Sequence, residues 1–277
     1  MAGWFITGIG SGLGRALAQA ALDRGDKVVG TTRKSADIAA FEALGPGFAK
    51  GLAVDLRDAA AVDAAAAQAE QWLGGIDFAV NNAGFGMVGA IEEVSIAEVQ
   101  ALFDINLFAA IRVIQAVLPG MRARRSGHIV NITSVSGLAP WAGTGIYGAS
   151  KYALECVGQT LAQEVRPLGI GVMNVAPGGF RTGFAAGGLA KAANSIADYE
   201  GSAHIAEQVL TGNAGKEKGD PARGAAAILS ALAAPEPPLH LLLGEDALHY
   251  AEDQFAFIGQ QIAAWRPLSL STAFEPA

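Results

Sequence analysis

The chain has 277 residues, 51% of them hydrophobic, which is enough for one large α/β domain with a substantial core. A net charge of −7 and a pI near 5.1 argue against nucleic acid as the main partner. No uninterrupted apolar run reaches the ~18 residues that suggest a membrane span, and no basic stretch leads into an apolar one as in a secretory signal.

In chain order, apolar strand-like runs fall at about 3–7, 27–32, 51–54, 76–80, 127–133, 170–175 and 239–243. Ala-rich helical stretches alternate with them, near 12–24, 58–73, 95–118, 147–167 and 221–234. The alternation predicts βαβ crossovers and a doubly wound, Rossmann-type parallel sheet of seven strands with helices on both faces, three layers in all. Pro167 and Gly169 close the helix that begins near 147. No repeat or linker divides the chain, so residues 1–277 are read as one dinucleotide-binding and catalytic domain. Two segments depart from the alternation. Residues 179–220 read as a long irregular insertion of the kind used for substrate lids. Residues 244–277 extend past the last strand, with an amphipathic helical stretch at about 246–265.

Tyr147 and Lys151 stand four residues apart, which places a phenol and an ammonium on one helix face, one turn apart. A phenol titrates near pH ~10, and a neighbouring cation favours the phenolate. The pair is therefore suited to proton exchange with an alcohol or carbonyl oxygen. Ser134, just beyond the strand at 127–133, offers a hydroxyl to the same oxygen. A Tyr–Lys pair at this spacing is also an ordinary surface feature, and the motif alone is weak.

The first strand runs into Thr7-Gly8-Ile-Gly10-Ser11-Gly12-Leu13-Gly14, followed by a helix. Glycines there let the backbone approach a pyrophosphate, and the helix N-terminus presents free N–H groups. After the second strand come Thr32 and Arg33, with no acid at the strand end. Arg33 suits a fork to a ribose 2′-phosphate, where an acid would select ribose hydroxyls.

With these residues in order, the chain resembles the short-chain dehydrogenase/reductase family over roughly residues 3–243. The resemblance rests on Thr7–Gly14, Val54-Asp55-Leu56, Asn81-Asn82-Ala83-Gly84, Asn106, Ser134, Tyr147 with Lys151, and Pro177-Gly178-Gly-Phe180-Arg-Thr182. It implies a catalytic set of Asn106, Ser134, Tyr147 and Lys151. Tyr147 would donate the proton, Ser134 polarise the oxygen, Lys151 tune the phenol and hold the nicotinamide ribose, and Asn106 hold a relay water. It implies cofactor contacts from Gly8, Gly10, Ser11, Gly12, Leu13, Gly14, Thr32, Arg33, Asp55, Leu56, Asn82, Ala83, Gly84, Pro177, Gly178 and Thr182, beside Tyr147 and Lys151. Ile9 and Leu13 are also read as packing residues. Many NADP enzymes of the family carry a basic residue where this chain has Ser11, so NADP(H) preference rests mainly on Arg33, and NAD(H) use stays open.

Phe85, Ser136, Trp141, Phe180 and Phe184 follow the motifs and are read either as core or as pocket wall. The four histidines are scattered without metal-ligand spacing, so no metal is expected. The lone Cys156 fits a reducing, cytoplasmic location. The expected function is an NADP(H)-dependent carbonyl reductase or alcohol dehydrogenase acting on a small hydrophobic substrate, similar to the steroid- and retinol-oxidising branch. The alternatives are a non-catalytic NADP(H) sensor or a sugar-nucleotide epimerase. A homodimer through the helices near 95–118 and 147–167 is expected, with the C-terminal extension folding over the last strand and blocking a second interface there.

Overall fold

The computed structural model describes residues 1–274. β1 (Gly3–Thr7) leads through the glycine turn into α1 (Gly12–Asp23), followed by β2 (Lys27–Thr32), α2 (Ala36–Glu42), β3 (Ala49–Ala53) and α3 (Ala59–Leu73). β4 (Phe78–Asn81) and a short β5 (Gly86–Val88) precede α4 (Ile96–Phe103), a π-helical turn at Asp104–Phe108 and α5 (Ala109–Arg124). Next come β6 (Gly127–Ile132), a 3-10 turn at Val135–Gly137, α6 (Gly145–Val165) and β7 (Ile170–Pro177). The chain continues through α7 (Phe184–Gly187), β8 (Leu189–Lys191), α8 (His204–Gly212), α9 (Pro221–Leu232), β9 (His240–Leu243) and α10 (Glu245–Leu270).

Seven strands form one parallel sheet in the order β3-β2-β1-β4-β6-β7-β9. The order runs outward in both directions from β1 and β4, so the chain crosses over to opposite sides and opens a crevice at their C-terminal ends. α1 and α9 pack on one face with Leu17, Ile228 and Leu229. α3, α5 and α6 cover the other with Val62, Val113, Val117 and Leu161. Both faces of β1 are therefore buried, which is why Gly3–Thr7 reads as a continuous run rather than an alternation.

Side-chain caps set several helix starts. Asp58 accepts from the N–H groups of Ala60 and Ala61 at the start of α3, and Asp220 does the same for Ala222 and Arg223 at α9. Ser95 and Glu98 form a reciprocal capping box at α4. α6 gives way to the Arg166–Leu168 turn and Gly169, whose φ of 75° needs no Cβ.

The expected helix at 95–118 is longer, running from Ile96 to Arg124, and is interrupted by the π turn. By length and hydropathy this stretch would suffice to cross a membrane; in the fold it packs Val113, Ile114, Val117 and Met121 into the core. The insertion at 179–220 is not irregular: it carries α7, β8 and α8, and β8 pairs with β5 in a second small parallel sheet. The C-terminal extension is a 26-residue helix. It buries Ala247 and Ala251 near its start but does not fold back over β9, because nothing beyond Gln254 is buried against the body.

Candidate active site

β6 delivers Ser134 just past its C-terminal end, and α6 presents Tyr147 and Lys151 one turn apart beside it. The Ser134 hydroxyl accepts the Ser136 N–H at 3.1 Å and is hydrogen-bonded to the Tyr147 phenol. Lys151 is buried, and its ammonium donates to the Ile132 carbonyl at 2.9 Å. Asn106 lies in the π turn, a local over-winding often found at functional sites. Its Oδ1 accepts the Phe85 N–H at 3.0 Å, and its Nδ2 donates to the Phe85 carbonyl at 3.0 Å and to Ser150 Oγ at 3.1 Å. Ser150 in turn donates to the Tyr147 carbonyl at 2.7 Å. Asn106 and Lys151 meet at Gly84, where a Cβ would stand 3.0 Å from Asn106 Oδ1 and 3.4 Å from Lys151 Nζ.

The electrostatics differ from the sequence expectation. Burial pushes the Tyr147 phenol up to about 12, and the Ser134 hydrogen bond only partly opposes it. Burial also pushes the Lys151 ammonium down to about 8. A cation was expected to lower the phenol. Loss of solvent outweighs that effect, so the phenol keeps its proton and the lysine moves towards neutrality.

The glycine turn forms a cradle beside this group. Ser11 is extended at the N-cap of α1, and its side chain makes no cap hydrogen bond, which leaves first-turn N–H groups open to an anion. Gly12 adopts φ 63°, and Thr182 from the 179–220 insertion lies against it. Gly14 has no room for a side chain because Asn82 and the Gly8 carbonyl crowd it. Asn82 donates to the Thr7 and Gly8 carbonyls at 2.8 and 3.0 Å. The N–H groups of Asn82 and Ala83 both donate to Thr7 Oγ1. The side chain of Asn82 therefore braces the turn, and Leu13 is buried in the core. These residues fit a dinucleotide laid across the glycine turn.

Around the expected ribose site, Arg33 is exposed and makes no ion pair among the described residues. Thr32 Oγ1 accepts the Lys34 N–H at 3.2 Å and donates to Asp37 Oδ2 at 3.1 Å. That carboxylate stands 2.9 Å from where a Gly10 Cβ would be. An acid therefore does face this site, contrary to the sequence reading; α2 folds back to bring it there. Asp55 is held by Arg57, which forks onto both carboxylate oxygens and holds the carboxyl at about 2. Leu56 is buried, and its carbonyl accepts from Arg112 at 3.3 Å. Pro177 ends β7, and the Gly178 N–H donates to the Leu243 carbonyl at 2.9 Å.

Of the candidate pocket residues, Phe184 packs on the Tyr147 ring at 5.8 Å between centroids. Phe85 joins Tyr147, Met87 and Leu102 in one apolar cluster. Ser136 sits in the 3-10 turn below Ser134, and Trp141 is exposed. Phe180 is a correction: its ring fills the space above Gly219 and Gly224 and packs on the core that holds Leu13, so it is not pocket wall. The sequence reading also missed Glu93. Its buried carboxylate accepts from the Ala90 and Ile196 N–H groups and contacts His204 Nε2, each at 2.7 Å, tying the 179–220 insertion to the segment before α4. Burial raises its pKa, yet these bonds hold it down at about 2. Nothing local marks a partner 111 residues away. No group of three metal-ligating side chains occurs among the described residues.

The family profile of short chain dehydrogenases matches residues 4–192. The chain belongs to this family. An oxidoreductase of Botryotinia fuckeliana, BOA17, is 34% identical over 271 residues, covering 98% of both chains. Human retinol dehydrogenase 8 is 40% identical over 205 residues, covering 71% of this chain and 64% of that protein. A short-chain dehydrogenase structure from Streptomyces avermitilis superposes with a TM-score of 0.93 at 37% identity, over 99% of this chain and all of that one. A family structure from Burkholderia phymatum holds NAD (TM-score 0.83, 27% identity, 93% and 94% covered), and a metagenomic one holds NADP (0.61, 34%, 64% and 83%). The seven-stranded sheet is the expected Rossmann-type fold, and the protein is an oxidoreductase enzyme of the short-chain dehydrogenase family.

Proposed function

We propose that this enzyme interconverts a carbonyl and an alcohol on a small hydrophobic substrate, works with NADP(H) in preference to NAD(H), and acts as a cytoplasmic homodimer. The observation that carries the reaction is the convergence of Ser134, Tyr147 and Lys151 beside the glycine cradle. The nicotinamide, when bound, supplies or accepts the hydride. Tyr147 holds a proton that burial keeps on the phenol, ready for donation to a carbonyl oxygen. Ser134 shares its hydroxyl with that phenol and orients the same oxygen. Lys151, held by the Ile132 carbonyl, fixes the polarity of the site, and Asn106 locks the 84–85 turn against α6.

NADP(H) preference is supported by the free Arg33 fork at the ribose end, and the Asp37 carboxylate leaves NAD(H) as a second cofactor. A hydrophobic substrate is supported by Phe184 and Phe85 around Tyr147, and by the likeness to retinol dehydrogenase 8. The single cysteine agrees with a reducing compartment.

Tyr147→Phe tests the reading. With a panel of apolar ketones, NADPH oxidation should fall by roughly 10²–10⁴-fold, while NADPH binding followed by its own fluorescence stays within a few-fold. Near-wild-type turnover in the variant would remove Tyr147 from the chemistry.

A further inference from the structure

Glu93 is a buried charge that the proton and hydride steps do not use. It is 3% exposed, and its Oε2 shares the space beside Gly89 with the Val94 and Ala192 side chains. A carboxylate in such apolar surroundings is tolerated only when donors enclose it. Oε2 takes the Ala90 N–H, and Oε1 takes the Ile196 N–H and meets His204 Nε2. Two of these partners belong to the 179–220 insertion.

The neighbouring acids act on the same stretch. Glu98 Oε1 accepts the Ala193 N–H at 2.9 Å, and Glu92 Oε2 accepts the Tyr199 hydroxyl at 2.6 Å. Glu92, Glu93 and Glu98 thus each take a partner from residues 193–204. Bonds to an ionised acceptor are the strong ones, and of the three acids only Glu93 is buried.

What they hold lies beside Tyr147. β8 pairs with β5 just ahead of the clamped stretch, and the Ala192 N–H donates to the Val88 carbonyl at 2.9 Å. Ala190 and Ala192 share one apolar cluster with Phe85, Met87, Ile146 and Tyr147. On the other side, the Gly143 carbonyl accepts the Gly89 N–H at 2.9 Å, and Gly143 packs on Ala203 and Ala206 at the start of α8. α8 is therefore gripped between Glu93 and the turn that leads into the Tyr147 helix. The insertion meets the glycine turn elsewhere, at Thr182, ahead of β8.

We propose that Glu93 is a positioning residue for the substrate: its carboxylate clamps residues 193–204 to the segment before α4 and so fixes the apolar wall beside Tyr147 on which the hydrophobic part of the substrate rests. The proposal rests on the carbonyl–alcohol reading. Among the described residues, none of the Glu93 hydrogen bonds goes to the catalytic side chains or to the glycine turn. Its loss is therefore read in substrate binding and not in cofactor binding.

The test is steady-state kinetics of the full chain with an apolar ketone that it reduces, together with amide hydrogen exchange followed by mass spectrometry. Glu93→Leu should raise KM for the ketone roughly tenfold while kcat and the KM for NADPH stay within about threefold, the pattern of lost binding and not of lost chemistry. Exchange should quicken in residues 193–206 and stay unchanged in β6 and β7. Glu93→Gln keeps the shape and one acceptor oxygen, and should fall between wild type and Glu93→Leu. Should Glu93→Leu fail to fold, His204→Ala removes one partner and should raise the ketone KM about threefold. Faster exchange with an unchanged ketone KM would overturn the positioning role, and unchanged exchange would overturn the clamp. KM values for ketone and NADPH that rise together would mean general loosening of the cleft and would also overturn it. A wild type that reduces no ketone of the panel would overturn the carbonyl–alcohol reading and with it the substrate role of Glu93, leaving the clamp to be decided by the exchange pattern.

Discussion

Lys151 should destabilise the protein that depends on it. The ammonium is almost fully buried, and burial lowers its pKa from 10.5 to about 8. That fall corresponds to roughly 3 kcal/mol of folding free energy lost to holding a cation out of water. The sign follows from proton counts. Below pH 8 the lysine is charged in both folded and unfolded chains, and the whole cost is present. Between pH 8 and 10.5 the folded protein has released the proton while the unfolded chain retains it. Unfolding then takes up a proton, and stability rises with pH until the cost is gone. Tyr147 acts in the opposite sense, but only above pH 10, where the unfolded phenol ionises and the partly buried folded one does not. Lys151→Met keeps the stem length and removes the charge. At pH 7 it should raise stability by roughly 3 kcal/mol, or roughly 5–10 °C in Tm for a chain of this size. At pH 9.5 the gap should be less than half as large, while activity is lost at both. Urea unfolding of the unliganded proteins at the two pH values measures this. A variant no more stable than wild type at pH 7 would mean that the bond to the Ile132 carbonyl repays the charge in full.

Two further outcomes follow from side chains on either side of the site. Asp37→Asn should raise the ratio of kcat/KM for NADPH over NADH by about tenfold, about 1.4 kcal/mol, and Arg33→Ala should lower it comparably; titration of cofactor fluorescence should give the same ordering of Kd values. An unchanged ratio in both variants would place the ribose elsewhere. Asn174→Leu should cost roughly 2–4 kcal/mol in urea unfolding, because it leaves Asn131 and Glu155 without their buried partner, and a neutral result would mean that the asparagine ladder is dispensable.

What the sequence disclosed was local. The buried strands appear as unbroken apolar runs, the glycine turn is contiguous, and Tyr147 and Lys151 share one helix, so their proximity follows from a spacing of four. The order within residues 179–220 and the missed elements depend on longer-range facts. α2 has only seven residues and one buried side chain, Phe41, so it carries no periodicity to read. The asparagines of β4, β6 and β7 lie far apart in the sequence, in separate apolar strands. Register sets Asn81 opposite Asn131 and Asn131 opposite Asn174, and their amides link in a row at 2.9 and 3.0 Å. The direction of the Tyr147 shift was beyond reach for a similar reason. Spacing reveals that a lysine is near, but only packing reveals that water is not.

The C-terminal extension is misread most easily, because its two halves answer to different surroundings. Its first turn belongs to the active-site side of the molecule. Asp246 accepts the Gly179 N–H at 2.7 Å, directly after the β7 motif and three residues before Thr182 meets the glycine turn. The Gly178 N–H bonds the last residue of β9. The start of the 179–220 segment is thus pinned by the start of α10 and by the strand that precedes it. Among the described residues, the distal half buries nothing against the rest of its own chain. A single helix therefore runs from the start of the 179–220 segment out to the exposed surface, without a break other than Pro267 near its end. Since an α-helix is stiff over such a length, a load on the distal half is carried to Asp246. Removing residues 255–277 should therefore leave the sheet intact by circular dichroism, whereas replacing Asp246 by Ala should speed amide hydrogen exchange at residues 179–182, even though it lies 67 residues from Gly179 in the chain.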